Sequence, residues 1–139
     1  MSGPGLVHVD SHSAIHEAAI YEAEEINDIL EKLLKDKQVE KALETAYIAV
    51  EHWESRTLKH ADAEEEGLYK DLVNSYPELK DDIVGLTRDH TLLRILVKEI
   101  KEILDTKGMS EEVLQKFYAL VHVDLIHNKE EESILAKLE

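Results

Sequence analysis

Cysteine is absent from this chain of 139 residues. That absence excludes disulfides, thiolate zinc sites and iron–sulfur ligation by the chain itself, and it leaves histidine and carboxylate as the strong metal ligands. Proline occurs twice, glycine five times, and aromatic residues make up only 5% of the sequence. Because these scarcities favour helix over sheet, we expect an all-α protein.

Long apolar runs and positive charge are also scarce. No run approaches the roughly 20 apolar residues of a membrane span, and the start, MSGPGLVHVD, lacks the basic and apolar regions of a secretory signal. The formal net charge of −15 disfavours nucleic acid and anionic membranes as partners. We expect a cytoplasmic protein whose residues 1–139 form one domain with one core. The oligomeric state stays open.

Apolar residues recur at three- and four-residue spacing in four long segments, which predicts four amphipathic helices. The segments cover about 11–36, 38–74, 79–105 and 110–138. Their predicted core positions include Ile15 in the first, Leu68 in the second, and Ile83, Leu86, Leu93, Val97, Ile100 and Leu104 in the third. Asp10 or Ser11 is a candidate N-cap of the first, Pro77 separates the second from the third, and Gly108 and Ser110 separate the third from the fourth. Short connections between such helices favour an up-down-up-down four-helix bundle.

Histidine precedes glutamate by four residues at two places in the chain. The stretch LKHADAEEEGLY contains His60 and Glu64, and IHNKEEESIL contains His127 and Glu131. Positions four apart share a helix face, so each pair directs two ligand groups toward one point. Both glutamates fall near the middle of their apolar stripes, where an unpaired carboxylate is very costly. The pattern therefore indicates metal ligands more than a solvated acidic face.

The first and third helices each place one histidine beside the apolar stripe, His16 and His90. A single histidine at a core edge is more often a hydrogen-bonded structural residue than a ligand. Jointly, however, four histidines and two carboxylates on four helices suit iron, manganese or zinc. Two metals that share Glu64 and Glu131 would use every group. His12, one turn before His16, is the alternative ligand on the first helix.

Several nearby residues have a less definite role. Asp124, one turn before the last histidine–glutamate pair, is a candidate acceptor for the imidazole N–H of a ligand. Arg94 would pair with a bridging glutamate or a bound anion if it turned inward, but its angle from the stripe favours a surface position. His52 and His122 point away from their stripes and His8 precedes the bundle, so none of the three is expected to be a ligand.

With these residues the sequence resembles the hemerythrin-like, His-His-Glu cation-binding domains. The resemblance runs from AIHEAA around His16 through LKHADAEEE and RDHTLLR to IHNKEEESIL. It implies a four-helix bundle that holds two iron ions joined by an oxo or hydroxo group. The implied ligands are His16, His60, Glu64, His90, His127 and Glu131. The ferritin-like class instead pairs Glu with His three residues later, and only Asp124 with His127 approximates that spacing.

The ligand set differs from that of the oxygen-carrying hemerythrins. Those carriers place a fifth histidine one turn after the third-helix ligand and use Asp five positions after the last histidine. Here the turn after His90 carries Arg94, and the last carboxylate is Glu131, four positions after His127, so the set more closely resembles the repair-of-iron-centres proteins. Their cysteine-containing N-terminal region has no counterpart in this sequence.

The sequence leaves three functions open. The first is a di-iron protein that binds or senses O2 or NO, or that buffers iron. The second is a di-iron enzyme that turns over peroxide or NO, oxidises ferrous iron or repairs iron centres. The third is a metal-free acidic bundle that binds another protein. Because there is no fifth histidine, both metals are expected to keep an open position for a diatomic ligand.

Overall fold

A computed structural model describes residues 9–138, with residues 9–12 described by their backbone alone. The elements in chain order are α1 (Val9–Lys35), α2 (Val39–His52), a π-helical segment (Trp53–Leu58), α3 (Lys59–Glu66), α4 (Leu68–Ser75), a 3₁₀ turn (Pro77–Leu79), α5 (Lys80–Lys107) and α6 (Glu111–Ala136). Within residues 9–138 there is no strand, and no helix is long and apolar enough to cross a membrane.

The elements from α2 to α4 follow one another as the second helix of a four-helix bundle. The first helix, α1, packs on α2 and α6, and α5 packs on the same two partners. The four bundle helices therefore form a closed ring in which each contacts its two neighbours. This arrangement confirms the predicted all-α four-helix bundle.

The helix ends follow the predicted signals at most positions. Pro77 ends the second bundle helix because the preceding Tyr76 leaves the helical region, with φ −134° and ψ 76°. Gly108 ends α5 with φ 80°, a conformation that favours glycine. The prediction of an N-cap at Asp10 or Ser11 is wrong, since both residues lie inside α1.

The buried face of α1 is rotated from the predicted stripe. The residues on this face are His16, Ile20, Ala23, Asn27 and Leu30. Ile15, which the pattern placed in the core, is 52% exposed. The rotation arises because a histidine and an asparagine occupy buried positions that a hydrophobic pattern does not count.

Two irregularities set the orientation of the second bundle helix, which the sequence predicted as continuous. The π-helical segment widens the turn just before His60, and such turns are frequent at functional sites. Farther on, α3 and α4 meet at Gly67, where φ −113° and ψ −88° interrupt the helix. As a result Tyr69 is 2% exposed, whereas the predicted core residue Leu68 is only half-buried.

A layer of polar side chains divides the described apolar core into two clusters. The larger cluster joins α1, α2, α5 and α6 around Trp53 and Phe117. The smaller cluster lies where α4 meets α5 and α6, and comprises Tyr69, Leu72, Leu79, Ile83, Leu86, Ile134 and Leu135. The buried polar residues of the layer are His16, Glu64, His90, Asp124, His127, Asn128 and Glu131.

Candidate metal centre

All six residues predicted as ligands meet in this polar layer. The first helix supplies His16, α3 supplies His60 and Glu64, α5 supplies His90, and α6 supplies His127 and Glu131. Five of the six are buried, and the side chain of His60 is 28% exposed. The bundle therefore brings together donors from all four of its helices.

His90 and His127 form one side of the centre. Their Nε2 atoms are 3.1 Å apart, Glu64 Oε1 lies 3.4 Å from His90 Nε2, and Glu131 Oε2 lies 3.5 Å from His127 Nε2. Each of these four residues offers one ligand atom such that all four atoms lie within 4.8 Å of one another. Donors about 2.1 Å from a tetrahedral ion stand roughly 3.4 Å apart, so the spacing suits one metal ion.

His16 and His60 form the other side. His60 Nε2 lies 3.6 Å from Glu64 Oε2, and His16 Nε2 lies 3.8 Å from Glu131 Oε1. The two imidazole rings meet edge to face with their centroids 5.4 Å apart. Each glutamate thus turns one oxygen toward one histidine pair and its second oxygen toward the other pair, which is the geometry of two bridging carboxylates.

Two carboxylates that the sequence did not single out hold the outer nitrogens of His90 and His127. His90 Nδ1 lies 2.7 Å from Glu65 Oε2, and His127 Nδ1 lies 3.0 Å from Asp89 Oδ2. When Nδ1–H donates to the carboxylate, the Nε2 lone pair faces the centre, as in carboxylate–histidine–metal sites. Asp124 was predicted to accept such an N–H, but Glu65 and Asp89 do so for these two ligands.

Arg94 lies on the outer side of Glu65. Its guanidinium donates to Glu65 Oε2 and to Asp62 Oδ1, both at 2.7 Å, and its side chain is 33% exposed. Arg94 therefore faces the surface, as predicted, but it is not an isolated surface charge. It neutralises the carboxylate that orients His90.

Tyr69 is the third residue of the centre that the sequence pattern missed. Its hydroxyl donates to Glu131 Oε2 and lies 3.5 Å from the Nε2 atoms of both His90 and His127. Its ring stacks on that of His90 at an interplanar angle of 7°. Burial and the charges of Glu131 and Glu64 raise the pKa of Tyr69 far above its ordinary value, so the group is a neutral donor among these protein groups.

Burial and mutual contacts also perturb the ionisation of the acids and of His127. Burial raises the pKa of Glu131, and the nearby Glu64 carboxylate raises it further. For His127, burial lowers the pKa, but bonding to Glu131 and Asp89 outweighs burial and raises it to about 9. Burial raises the pKa of Asp124 to about 6, against the opposing effect of His127 and His90. Such a concentration of perturbed groups is typical of a functional site.

A cavity of about 320 Å³ reaches the centre from the side of α1 and the π-helical segment. Its wall includes all four histidines of the centre, together with Glu64 and Asp124. Toward the surface it is lined by Ser55, Arg56 and Thr57 of the π-helical segment. The cavity provides space for a small molecule directly beside the donors.

Among the histidines whose side chains the structure describes, His52 and His122 lie outside the two donor groups. His52 is half-buried with its Nε2 3.6 Å from Glu22, so it is less exposed than predicted. His122 is exposed, as predicted. The side chains of His8 and His12 lie outside the described residues, so the alternative ligand His12 stays a prediction.

Replacing Asp124 with Asn is expected to stabilise the metal-free protein at neutral pH. The carboxyl has a pKa of about 6 in the folded chain against an ordinary 3.8, so the folded state holds the proton more tightly than the unfolded state. Ionisation of Asp124 therefore lowers the free energy of unfolding of the wild type. This loss is absent below about pH 4, grows up to about pH 6, and stays at roughly 3 kcal/mol above that pH.

Denaturant unfolding of the wild type and Asp124→Asn at pH 4 and pH 7 measures this effect. The unfolding free energies should nearly coincide at pH 4, and the variant should be the more stable at pH 7. Asp28→Asn, a change at an exposed position on α1, serves as the control. An equal difference between variant and wild type at both pH values contradicts the prediction.

Fold and site together define an all-helical bundle with a buried histidine–carboxylate centre, of the class that binds metal ions. The family model of the hemerythrin HHE cation-binding domain matches residues 7–138. The chain therefore belongs to the hemerythrin HHE cation-binding domain family, and the resemblance read from its sequence is confirmed. Comparison with curated proteins and with solved structures gave no significant match.

The donor set of this chain fits the metal that the family implies. Glu131 Oε1 is buried and, among the side chains of residues 13–138, finds no hydrogen-bond donor, although it faces His16. A buried carboxylate oxygen without a donor is costly unless a cation satisfies it. The chain is therefore a metal-binding protein, and its metal ligands are drawn from this His/Glu cluster.

Proposed function

We propose that this chain is a non-haem di-iron protein that binds or senses O2 or NO, or handles iron, through a carboxylate-bridged centre. The observation that carries the proposal is the position of Glu64 and Glu131 between the two histidine pairs. Two metals, each held by two imidazoles and by one oxygen from each glutamate, account for all six donors.

The donor chemistry supports iron, with manganese and zinc as alternatives. When bound, a pair of irons supplies the redox chemistry and the affinity for diatomic ligands. The chain's own residues position that pair: Glu65 and Asp89 orient two imidazoles, and Arg94 neutralises Glu65. Apolar clusters on both sides of the layer restrict the access of bulk water to the side of the cavity.

The size of the cavity supports a small ligand. Its volume of about 320 Å³ is at the low end of the roughly 300–1,000 Å³ range of small-molecule sites. A diatomic molecule fits there with room for water, whereas a large organic substrate does not. The burial of five of the six donors argues against the alternative of a metal-free interaction bundle, because a surface-binding module gains nothing from them.

A second candidate function is turnover of peroxide or NO at the same centre. Asp124 favours it, since this carboxyl is 3% exposed, lines the cavity and has a pKa of about 6. A general acid or base must lie beside the space that the substrate occupies, and Asp124 meets this requirement.

Elemental analysis of protein purified without added metal tests the proposal, together with absorption spectra before and after exposure to O2. We expect about two irons per chain and oxo-bridge charge-transfer bands that respond to O2. Stoichiometric zinc with no such bands would contradict the di-iron proposal and indicate a metal-stabilised bundle. A folded protein that takes up no metal contradicts it as well. Assays of peroxide and NO consumption by the iron-loaded protein separate the second candidate from the first.

A further inference from the structure

We infer that Tyr69 is a further protein ligand of the metal held by His90 and His127, so that the two metal positions are unequal. This inference rests on the proposed two-metal centre. It goes beyond the six donors because Tyr69 belongs to neither histidine–glutamate pair and lies on a separate helix, α4.

The position of the hydroxyl carries the inference. It bonds to Glu131 Oε2, the oxygen that faces His127, and lies 3.5 Å from both imidazole Nε2 atoms on this side. These contacts place the Tyr69 oxygen among the donor atoms that surround the His90–His127 position. A metal at that position would be within reach of the hydroxyl as well as of the imidazoles.

The surroundings hold the Tyr69 ring in this place. The residue is 2% exposed, its ring is stacked on His90 with centroids 5.5 Å apart, and it packs in the smaller apolar cluster with Leu72. The interruption at Gly67 sets this orientation, because it brings Tyr69 rather than Leu68 to the bundle interior. The hydroxyl therefore does not need a rearrangement of the helix to reach a metal.

The two sides of the centre then differ in their protein donors. The His90–His127 position has two imidazoles, one oxygen from each glutamate and the Tyr69 oxygen. The His16–His60 position has two imidazoles and two carboxylate oxygens. The histidines of both pairs line the cavity, so an external ligand has access to both positions. Because only the His90–His127 position has the additional Tyr69 donor, the His16–His60 metal keeps an open position for that ligand, in place of the open position on both metals that the sequence predicted.

Ligation by Tyr69 is an acid–base change without electron transfer. The phenol O–H bond breaks, the proton leaves to solvent, and the oxygen donates its electron pair to the metal. Tyrosine serves as an iron ligand in some haem proteins, so the bond is an ordinary one for ferric iron. A phenolate on ferric iron produces a visible charge-transfer band in which tyrosine ring vibrations are resonance-enhanced, a signature that imidazole and carboxylate ligands do not give.

Resonance Raman and visible absorption of the ferric-loaded full chain test the inference. The wild type should show the phenolate band and the enhanced ring vibrations, and Tyr69→Phe should lose both. Tyr118→Phe is the matched control, because its hydroxyl bonds to Glu31 on α1, away from the centre. That control should keep the full signature.

A second measurement on the wild type does not depend on how the variant folds. When ring-deuterated tyrosine is incorporated into the wild type, the enhanced vibrations must shift in frequency if they come from a tyrosine ligand. Two irons per chain with no phenolate signature, or an unchanged signature in Tyr69→Phe, overturn the inference and leave the di-iron proposal standing. A wild type that binds no iron overturns both.

Discussion

Glu64→Gln is expected to reduce metal loading from about two ions per chain to fewer than one. The described chain has two groups of residues whose ligand atoms lie within 4.8 Å of one another. One group contains His90, His127 and Glu131, and the other contains His16 and His60. Glu64 is the only residue that belongs to both groups. Glutamine has nearly the same shape but carries no charge, and its amide nitrogen cannot be a ligand in place of the second oxygen. Both metal positions of the proposed centre therefore lose a donor at once.

The folded state of the metal-free variant should not be weakened in parallel. Glutamine is nearly isosteric with this glutamate, which is 4% exposed, and its amide can still form hydrogen bonds with the imidazoles that face it, so the metal-free fold tolerates the change. Elemental analysis after iron loading and circular dichroism of the metal-free form measure the two effects separately. Glu66→Gln, an exposed position on the same helix, should load two metals. Full loading of Glu64→Gln would contradict the bridging function.

Loss of Glu65 or Asp89, whose carboxylates bond to the outer nitrogens of the imidazoles, should weaken metal binding without abolishing it. Asp89→Asn and Glu65→Gln each remove the charged acceptor of an Nδ1–H group. Such partners raise the basicity of the imidazole and fix its ring, and their loss typically lowers metal affinity by about 10- to 100-fold. Competition with a chelator of known affinity gives the dissociation constant of each variant.

The stoichiometry separates this effect from the loss of a ligand. At saturating iron, Asp89→Asn and Glu65→Gln should still bind two ions per chain, in contrast to Glu64→Gln. Glu102→Gln, an exposed change on α5, is the control for Asp89 and should keep the affinity of the wild type. Unchanged affinity in both test variants would show that the two hydrogen bonds do not support the ligands.

Much of the centre was predictable because its ligands follow the α-helical period. The i,i+4 pairs His60–Glu64 and His127–Glu131 need only a regular helix to converge, and both lie on one. The apolar positions of α5 also repeat without a break, so all of those predicted there are buried: Ile83, Leu86, Leu93, Val97, Ile100 and Leu104. In these parts local periodicity alone determines which side chains face inward.

The residues that the sequence analysis missed depend on departures from that period. Tyr69 faces the centre only because the helix is interrupted at Gly67, and a uniform helix would bring Leu68 inward instead. Glu65 and Asp89 lie directly beside ligands in the sequence, but their bonds to His90 and His127 join different helices. Such contacts depend on how the helices are rotated against one another, which no single segment determines.

The polar layer that splits the core also divides the bundle into two ends. Among the side chains of residues 13–138, the smaller cluster has seven buried residues against eighteen in the larger one, so these described side chains offer less apolar burial against local opening at that end. A cation that binds only the closed layer adds stability by mass action, in proportion to the logarithm of its free concentration. In the proposed centre, that gain falls at the boundary of the smaller cluster. We therefore expect metal supply to change how often this end of the bundle opens, in addition to the chemistry of the centre.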